Sequence, residues 1–369
     1  MYHKRDFVEI RAYIKEVSSM ARRNKPRKRR VFLKFLIIVF SFFAILAAVM
    51  VAMLFLTVGP PDIPLLPDFT QTQTNGADES DPTVSILRAP ERFGNEDRKE
   101  LFFTVLILGL TEGQNANTIM VASFDGVSGE ANLVSIPRDS LVNTDRWLRK
   151  INGAYPFGLL EGRGVIGGVE RMQREVMSVI GFVPDFYIVI DYTAFERIID
   201  AVGGVEIEAL FHMRYDDPCQ NLHINIPPGV HHMDGRMALH FARYRQSNWG
   251  YQDITDYQRI ENQQTVVNAV LGSLFRPGNI LRIPEFIDIF TEYVHTDLAT
   301  GSLLWFAMQF QEVRGSGALA TYTLPTDGTS GPPMWYEILY APGIVELVNR
   351  TINPYRIDIE LWDIDIIWQ

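Results

Sequence analysis

A chain of 369 residues with 47% hydrophobic composition carries more apolar material than one soluble core needs, which points to a membrane segment beside a large domain. Its single cysteine, Cys219, excludes an intramolecular disulfide. The net charge of −10 is unevenly placed: residues 1–34 hold twelve Lys/Arg against three Asp/Glu and the rest nets −19, a topology signal rather than the mark of a nucleic-acid binder.

Within residues 4–20, Phe7, Ile10, Ile14 and Val17 recur at three- and four-residue spacing, the stripe of one helix. The stretch reads as a short helix on the cytoplasmic membrane surface, with a docking helix for a partner as the alternative. Arg22, Arg23, Lys25, Arg27, Lys28, Arg29 and Arg30 follow as a polybasic run suited to anionic lipid. Residues 35–58 then pass without a charge. At about 1.5 Å per residue such a helix covers roughly 36 Å, enough to cross the hydrocarbon core with some tilt. A cleaved signal peptide has a shorter apolar region and a small-x-small site, and neither is evident. With the basic flank on the amino side, residues 1–34 are expected to be a cytoplasmic head. Residues 35–58 then form one transmembrane helix, and everything after Gly59 lies outside the cytoplasm. Residues 59–100 read as a linker, stiffened by Pro60, Pro61, Pro64 and Pro67 and continued by a run too polar to build a core.

The globular part is expected over residues 101–330. Runs of strand length at 102–108, 118–124 and 131–136 are followed by a glycine-rich stretch leading into a helix that ends at Ile180. Residues 185–191 read as a strand, and 195–202 as a helix stopped by Gly203-Gly204. Residues 205–209 and 222–226 read as strands, 235–242 as a helix, and 253–275 as a long helix. Two amphipathic helices over 284–313 and a strand at 321–324 follow. Alternating strands and helices, with several connections too short for crossovers, predict an α/β fold: an α-β-α sandwich with a central mixed sheet. Residues 331–369 are a C-terminal extension packed on or following the domain, with no functional reading for Trp335, Trp362 or Trp368.

Three places carry chemistry. In Leu133-Val-Ser-Ile-Pro-Arg-Asp-Ser140 a buried strand stops at a proline, which cannot donate to a ladder, and presents Arg138 and Asp139 at its carboxyl end. That edge of an open α/β sheet is where ligands collect. In Arg243-Tyr-Arg245 both arginines project to one side if the backbone is extended there. In the long helix, the inward stripe of Ile260, Val267, Val270, Leu271 and Leu274, carried back one turn, includes Asp256, Arg259 and Gln263. Polar side chains facing inward need partners, so the helix start reads as lining a polar site. Arg138, Arg243, Arg245 and Arg259 suit bidentate contacts to phosphate oxygens. Asp139 or Asp256 is placed to hold an arginine or to deprotonate a hydroxyl.

Seven motifs appear in order: Thr104-Val-Leu-Ile-Leu-Gly109, Ser135-Ile-Pro-Arg-Asp139, Lys150-Ile-Asn-Gly-Ala-Tyr155, Phe195-x-x-Ile-Ile-Asp-x-Val-Gly-Gly-Val205, Gly229-x-x-His-Met-Asp-Gly235, Ala242-Arg-Tyr-Arg245 and Asp256-x-x-Arg-Ile-x-x-Gln263. Over about residues 101–328 the chain resembles the LytR–CpsA–Psr family of membrane-anchored cell-wall proteins. The resemblance implies a pocket for a polyprenyl chain with arginines gripping a pyrophosphate at its mouth. It also implies transfer of a glycopolymer from a polyprenyl-pyrophosphate carrier to a hydroxyl of peptidoglycan or a related envelope acceptor. On this reading Arg138, Asp139, Arg243, Arg245, Arg259 and Gln263 serve catalysis, with Asp256 and Lys150 joining the arginines in binding substrate.

The chain departs from the family at the metal-holding acids. The matching positions are Thr111 and the Asn115-Ala-Asn-Thr118 run, and a customary arginine before Gln263 is Asn262. Glu112 is the one nearby carboxylate, flanked by Thr111 and Asn117. A Mg2+ or Mn2+ ion is therefore expected to be held by the substrate's phosphates rather than by the protein. The alternative to a transferase is a non-catalytic scaffold that binds a polyprenyl-pyrophosphate lipid. Nucleic acid is not an expected partner, because the 34-residue head has no recognition motif.

Overall fold

The computed structural model describes residues 58–63, 93–112, 114–274, 276, 279, 283–316 and 319–367, together with residues 11, 12, 15 and 16. Those last four are helical; the rest of the predicted stripe at 4–20, the polybasic run and all of the predicted span except Val58 lie outside the described residues. Among the described residues no helix is long and apolar enough to cross a membrane. The chain separates into two compact units, Met1–Gly59 and Pro60–Gln369. The second holds the sheets and the helices that pack on them.

The strands of the main sheet are β1 (Phe102–Leu110), β2 (Ala116–Asp125), β3 (Glu130–Ser135), β4 (Phe186–Ile190), β9 (His295–Thr296) and β10 (Ala320–Thr323). The strands of three two-stranded sheets are β5 (Val205–Ala209), β6 (Met213–Asp217), β7 (Leu222–Ile226), β8 (Gly229–Met233), β11 (Thr326–Thr329) and β12 (Glu337–Leu339). The longer helices are α1 (Gly164–Ile180), α2 (Tyr192–Ala201), α3 (Gly235–Arg243), α4 (Asp256–Leu274), α5 (Ile283–Tyr293), α6 (Thr300–Ser316) and α7 (Ala341–Thr351).

The main sheet runs β10-β3-β2-β1-β4-β9. It is mixed: β1 pairs parallel with β4 and antiparallel with β2, and β3 pairs parallel with β10 and antiparallel with β2. Alternation along β1 divides the core between two faces. Leu106, Leu108 and Leu110 pack with Met172 and Val176 of α1 and Ile344 and Val348 of α7. Phe103 turns to the other face, meeting Trp305 and Phe306 of α6 edge-on with ring centroids 5.6 and 5.5 Å away. Helices thus cover both faces of a central mixed sheet. A separate cluster joins the antiparallel β5–β8 and β6–β7 pairs to α3 and α4.

Residues 331–369 supply β12 and α7, and Leu339, Ile344, Val348, Ile352, Tyr355 and Ile359 lie in the same core cluster as β1. The extension is therefore part of the sandwich itself, and the described core carries no boundary at residue 330.

Several motif residues have structural roles. Asp191 and Asp234 cap α2 and α3, each accepting a backbone hydrogen bond at 2.8 Å. The Gly235 amide donates to Asp200 at 2.8 Å, and a Cβ at Gly235 would come within 2.3 Å of the Glu196 carbonyl oxygen, so only glycine lets α3 approach α2 this closely. Thr255 and Gln258 form reciprocal contacts at the start of α4, the Gln258 amide bonding Thr255 Oγ1 at 3.2 Å and the Thr255 amide bonding Gln258 Oε1 at 2.9 Å. That cap starts the helix at Asp256, three residues later than the hydrophobic pattern predicts.

Candidate functional site

Strands β1, β3, β4 and β10 point the same way, so their carboxyl ends meet at one edge of the sheet. The residues just past those ends are Thr111 and Glu112, Arg138 and Asp139, and Tyr192. They gather there because strand direction and sheet twist deliver successive βα and ββ turns to one rim. The β1–β2 turn is shorter than the predicted 109–117 loop: β1 continues to Leu110 and β2 resumes at Ala116, closed by a Thr111 amide to Asn115 carbonyl bond of 3.1 Å.

Behind this rim lies a cavity of about 660 Å³, within the usual range of about 300–1,000 Å³ for small-molecule sites. Its walls include Ile107, Leu108, Leu110, Ile190, Phe195, Leu222, Leu239, Ala242 and Val267, and its polar residues include Thr111, Glu112, Asn117, Arg138, Tyr192, Gln220, Arg243, Arg245, Arg259 and Gln263. A narrow cleft shares Asn117, Arg138, Arg259 and Gln263 with it and adds Asp139, Asp256, Tyr257 and Glu337.

Arg138 stands where both spaces meet. Its backbone is fixed: its carbonyl accepts from the Asn152 amide at 3.1 Å, and the neighbouring Asp139 carbonyl accepts from the Glu337 amide at 2.9 Å. The Nε atom of Arg138 is buried and has no hydrogen-bond partner among the described residues, the Asp139 carboxylate being 3.9 Å from it. Its Nη2 is 3.8 Å from Asp256, beyond hydrogen-bond length. A partly buried guanidinium with a buried, unmet Nε donor suits an anion that supplies oxygen acceptors.

Arg259 is almost fully buried and pairs with Asp256 at 3.1 Å, one helical turn back. Burial, and next the positive charge of Arg138, push its pKa down to about 10, with Asp256 opposing. Such a site is short of negative charge. Arg243 places its guanidinium over the Tyr192 ring at 4.4 Å, with Nη2 3.4 Å from Gln220 Oε1. Burial raises the Tyr192 pKa above its usual value, with Arg243 the largest opposing influence. Arg245 is mostly exposed and 3.9 Å from Asp256. Arg243 and Arg245 both line the cavity, but not from one extended segment. Arg243 is the last residue of α3, and Tyr244 turns the other way into the core, donating its hydroxyl to the Gln252 carbonyl at 2.6 Å.

Asp139 pairs with Lys150 at 2.9 Å, so Lys150 reaches the site through Asp139 and lines neither space itself. The predicted inward stripe of α4 needs a correction. Arg259, Ile260, Gln264, Val266, Ser273 and Leu274 are its buried residues, whereas Val267 lines the cavity. Gln264 bonds Ser135 Oγ and the Tyr322 carbonyl, each at 2.9 Å, and so ties α4 to β3 and β10. The helix is wedged between core and cavity, and one stripe serves both.

Sequence reasoning missed several lining residues, among them Tyr192, Gln220, Tyr257 and Glu337. Tyr192 follows the carboxyl end of β4, so the strand-end rule applied to that strand would have found it. Glu337 arrives from the C-terminal extension and has no local signal.

The positions where the resemblance expects metal-holding acids lie at this rim. Thr111 and Asn117 offer a hydroxyl and an amide beside the exposed carboxylate of Glu112. Among the described residues no group of three His, Cys, Asp or Glu is placed to hold a metal ion. Magnesium needs charged oxygen ligands to offset its dehydration, and this donor set supplies one.

The chain is 25% identical over 229 residues to regulatory protein MsrR of Staphylococcus aureus (strain COL), a match covering 60% of this chain and 64% of the relative, less than two thirds of its length. It is 28% identical over 243 residues to the polyisoprenyl-teichoic acid–peptidoglycan teichoic acid transferase TagU of Oceanobacillus iheyensis, covering 64% of this chain and 70% of that protein. The crystal structure of Bacillus subtilis TagV superposes with a TM-score of 0.55 at 22% identity, over 68% of this chain and 95% of that structure, a likeness of fold. The family model of the LytR_cpsA_psr family matches residues 70–351, which takes in the whole sheet, the arginine-lined rim and the extension through α7; on that span the chain belongs to this family.

Proposed function

We propose that this chain is a membrane-anchored phosphotransferase that moves a glycopolymer from a polyprenyl-pyrophosphate carrier to peptidoglycan or a related envelope acceptor. The observation that carries the reading is the cavity of about 660 Å³ with apolar walls and Arg138, Arg243, Arg245 and Arg259 at its polar rim. An isoprenoid tail gains by burial against Leu108, Ile190, Phe195 and Leu239. Its pyrophosphate meets the guanidinium groups, and the unmet Nε of Arg138 gains an acceptor. The name of TagU supports the choice of carrier and acceptor.

The chemistry is an exchange at phosphorus. An acceptor hydroxyl oxygen bonds to the phosphorus bearing the glycan, the bridging P–O bond breaks, and the lipid monophosphate leaves. Arg138 and Arg259 stabilise charge on the oxygens while it redistributes, the part that preorganised donors play at such centres. No step is assigned to a metal, and any divalent ion is carried by the substrate's phosphates. The basic head and apolar span at 35–58 support an extracytoplasmic position for the domain.

A second reading, a scaffold that binds the lipid without turnover, draws on Thr111 and Asn117 standing where carboxylates are expected. Incubating the full chain in detergent with a polyprenyl-pyrophosphate glycan and peptidoglycan fragments separates the two. Glycan linked to peptidoglycan supports the transferase, and tight lipid binding without product supports the scaffold.

A further inference from the structure

Three carboxylates border the narrow cleft: Asp139, Asp256 and Glu337. Two of them are held by cations. Asp139 lies 2.9 Å from Lys150, and Asp256 lies 3.1 Å from Arg259 with Arg138 and Arg245 at 3.8 and 3.9 Å. Both carboxylates are therefore already engaged by cations of the protein. Glu337 differs. Among the described residues its carboxylate has no ion pair and no hydrogen-bond partner, yet its backbone is anchored on both sides. Its amide donates to the Asp139 carbonyl and its carbonyl accepts from the Leu141 amide, each at 2.9 Å.

We propose that Glu337 is the proton acceptor for the incoming hydroxyl, an inference that rests on the transferase reading. Arg138 and Arg259 border both spaces, with the apolar cavity on one side and Glu337 on the other. A pyrophosphate gripped there with its tail in the cavity turns its far phosphorus towards the cleft. The cleft leaves about 10 Å³, room for about one water-sized oxygen, such as that of a hydroxyl. In the step, the acceptor O–H gives its proton to the Glu337 carboxylate as the new O–P bond forms. The lipid monophosphate departs with the bridging oxygen, and Glu337 later returns the proton to solvent.

The charged and titratable groups around Glu337 are Arg138 and Asp139 past β3, Lys150, and Asp256, Tyr257 and Arg259 on α4. Burial first, then the negative charges of Asp256 and Asp139, raise its pKa above the usual glutamate value, with Lys150 opposing. A raised pKa makes the ionised form a stronger base. The rate therefore climbs with pH as Glu337 loses its proton.

The test uses the full chain in detergent, a polyprenyl-pyrophosphate glycan as donor and peptidoglycan fragments as acceptor. Glu337→Gln is expected to lower kcat by about 10²- to 10⁴-fold, the usual contribution of a positioned base, and to abolish the acid limb of the pH profile. Donor Kd should stay at the parent value. Glu337→Ala should regain rate with added formate, which a purely structural role does not allow. Glu337→Asp, which keeps the charge, guards against misfolding: it should keep the acid limb at a lower kcat. Parent-like kcat and pH profile in Glu337→Gln, or a loss of donor binding as large as the loss of rate, overturns the role of Glu337 and leaves the transferase reading in place. A parent that forms no product overturns the transferase reading, and this inference with it.

Discussion

Replacing Glu175 by alanine tests how the site is held. Glu175 lies on α1 and is 5% exposed, and its carboxylate accepts from Arg146 Nε at 3.0 Å and Nη2 at 2.5 Å and from Arg171 Nε at 3.0 Å. Arg146 also donates to the carbonyls of Leu148 and Lys150, each at 2.9 Å. That second bond fixes the backbone from which Lys150 reaches Asp139. Removing Glu175 leaves the buried Arg146 charge facing backbone carbonyls alone, whereas Arg171 keeps Asp145 and Glu161. Stranding one partner of a buried pair costs about 3–5 kcal/mol. Replacing both partners by apolar residues of similar volume costs far less, so Arg146→Met with Glu175→Met should recover most of the loss. Guanidinium unfolding of the full chain in a mild detergent, followed by circular dichroism, gives both numbers. A loss under about 1 kcal/mol in Glu175→Ala, or a double variant no more stable than the single, refutes the argument that charge stranding sets the cost.

The arginine rim yields a second expectation: Arg138→Ala, Arg243→Ala or Arg245→Ala should each weaken polyprenyl-pyrophosphate binding by about 1.5–3 kcal/mol per charged hydrogen bond lost. Changing Asp78, which lies outside the described residues, should leave it unchanged, and three arginine variants that bind like the parent mean that the lipid lies elsewhere. For the metal, calorimetric titration of lipid-free protein should show weak magnesium or manganese binding, strengthened in the double variant Thr111→Asp with Asn117→Asp. Tight binding by the parent, lost in Glu112→Ala, means that the site is rebuilt around Glu112. For topology, a reporter fused after Gln369 should be active only in an exported form, and cytoplasmic activity there ends the envelope reading.

Much of the fold was legible because its signals are local. The apolar runs of β1, β2 and β3, the Gly203-Gly204 stop after α2 and the proline ending at Pro137 each act over a few residues. Arg138 was legible for the same reason: a strand that stops at a proline presents the next side chains at its carboxyl end. Arg243, Arg259 and Gln263 were reached through helix and strand periodicity, which fixes the side a residue faces but not its neighbours. The α4 stripe marks that limit. Periodicity put Val267 and Ile260 together, while packing made Ile260 core and Val267 cavity wall.

The sequence by itself determined five strands of the main sheet, the helices as far as residue 313 and their order, the basic head before an apolar span, and the arginines that end up at one rim. Tertiary structure decided which charges remain free to act. Asp139 and Asp256 carry the same side chain at the same cleft, and only the folded chain sets them beside Lys150 and Arg259. Glu337 reaches the same cleft because Ser140 and Glu337 form a β-bridge. That pairing joins segments far apart in the chain, and backbone hydrogen bonds between them leave no residue-type signature for a sequence to show.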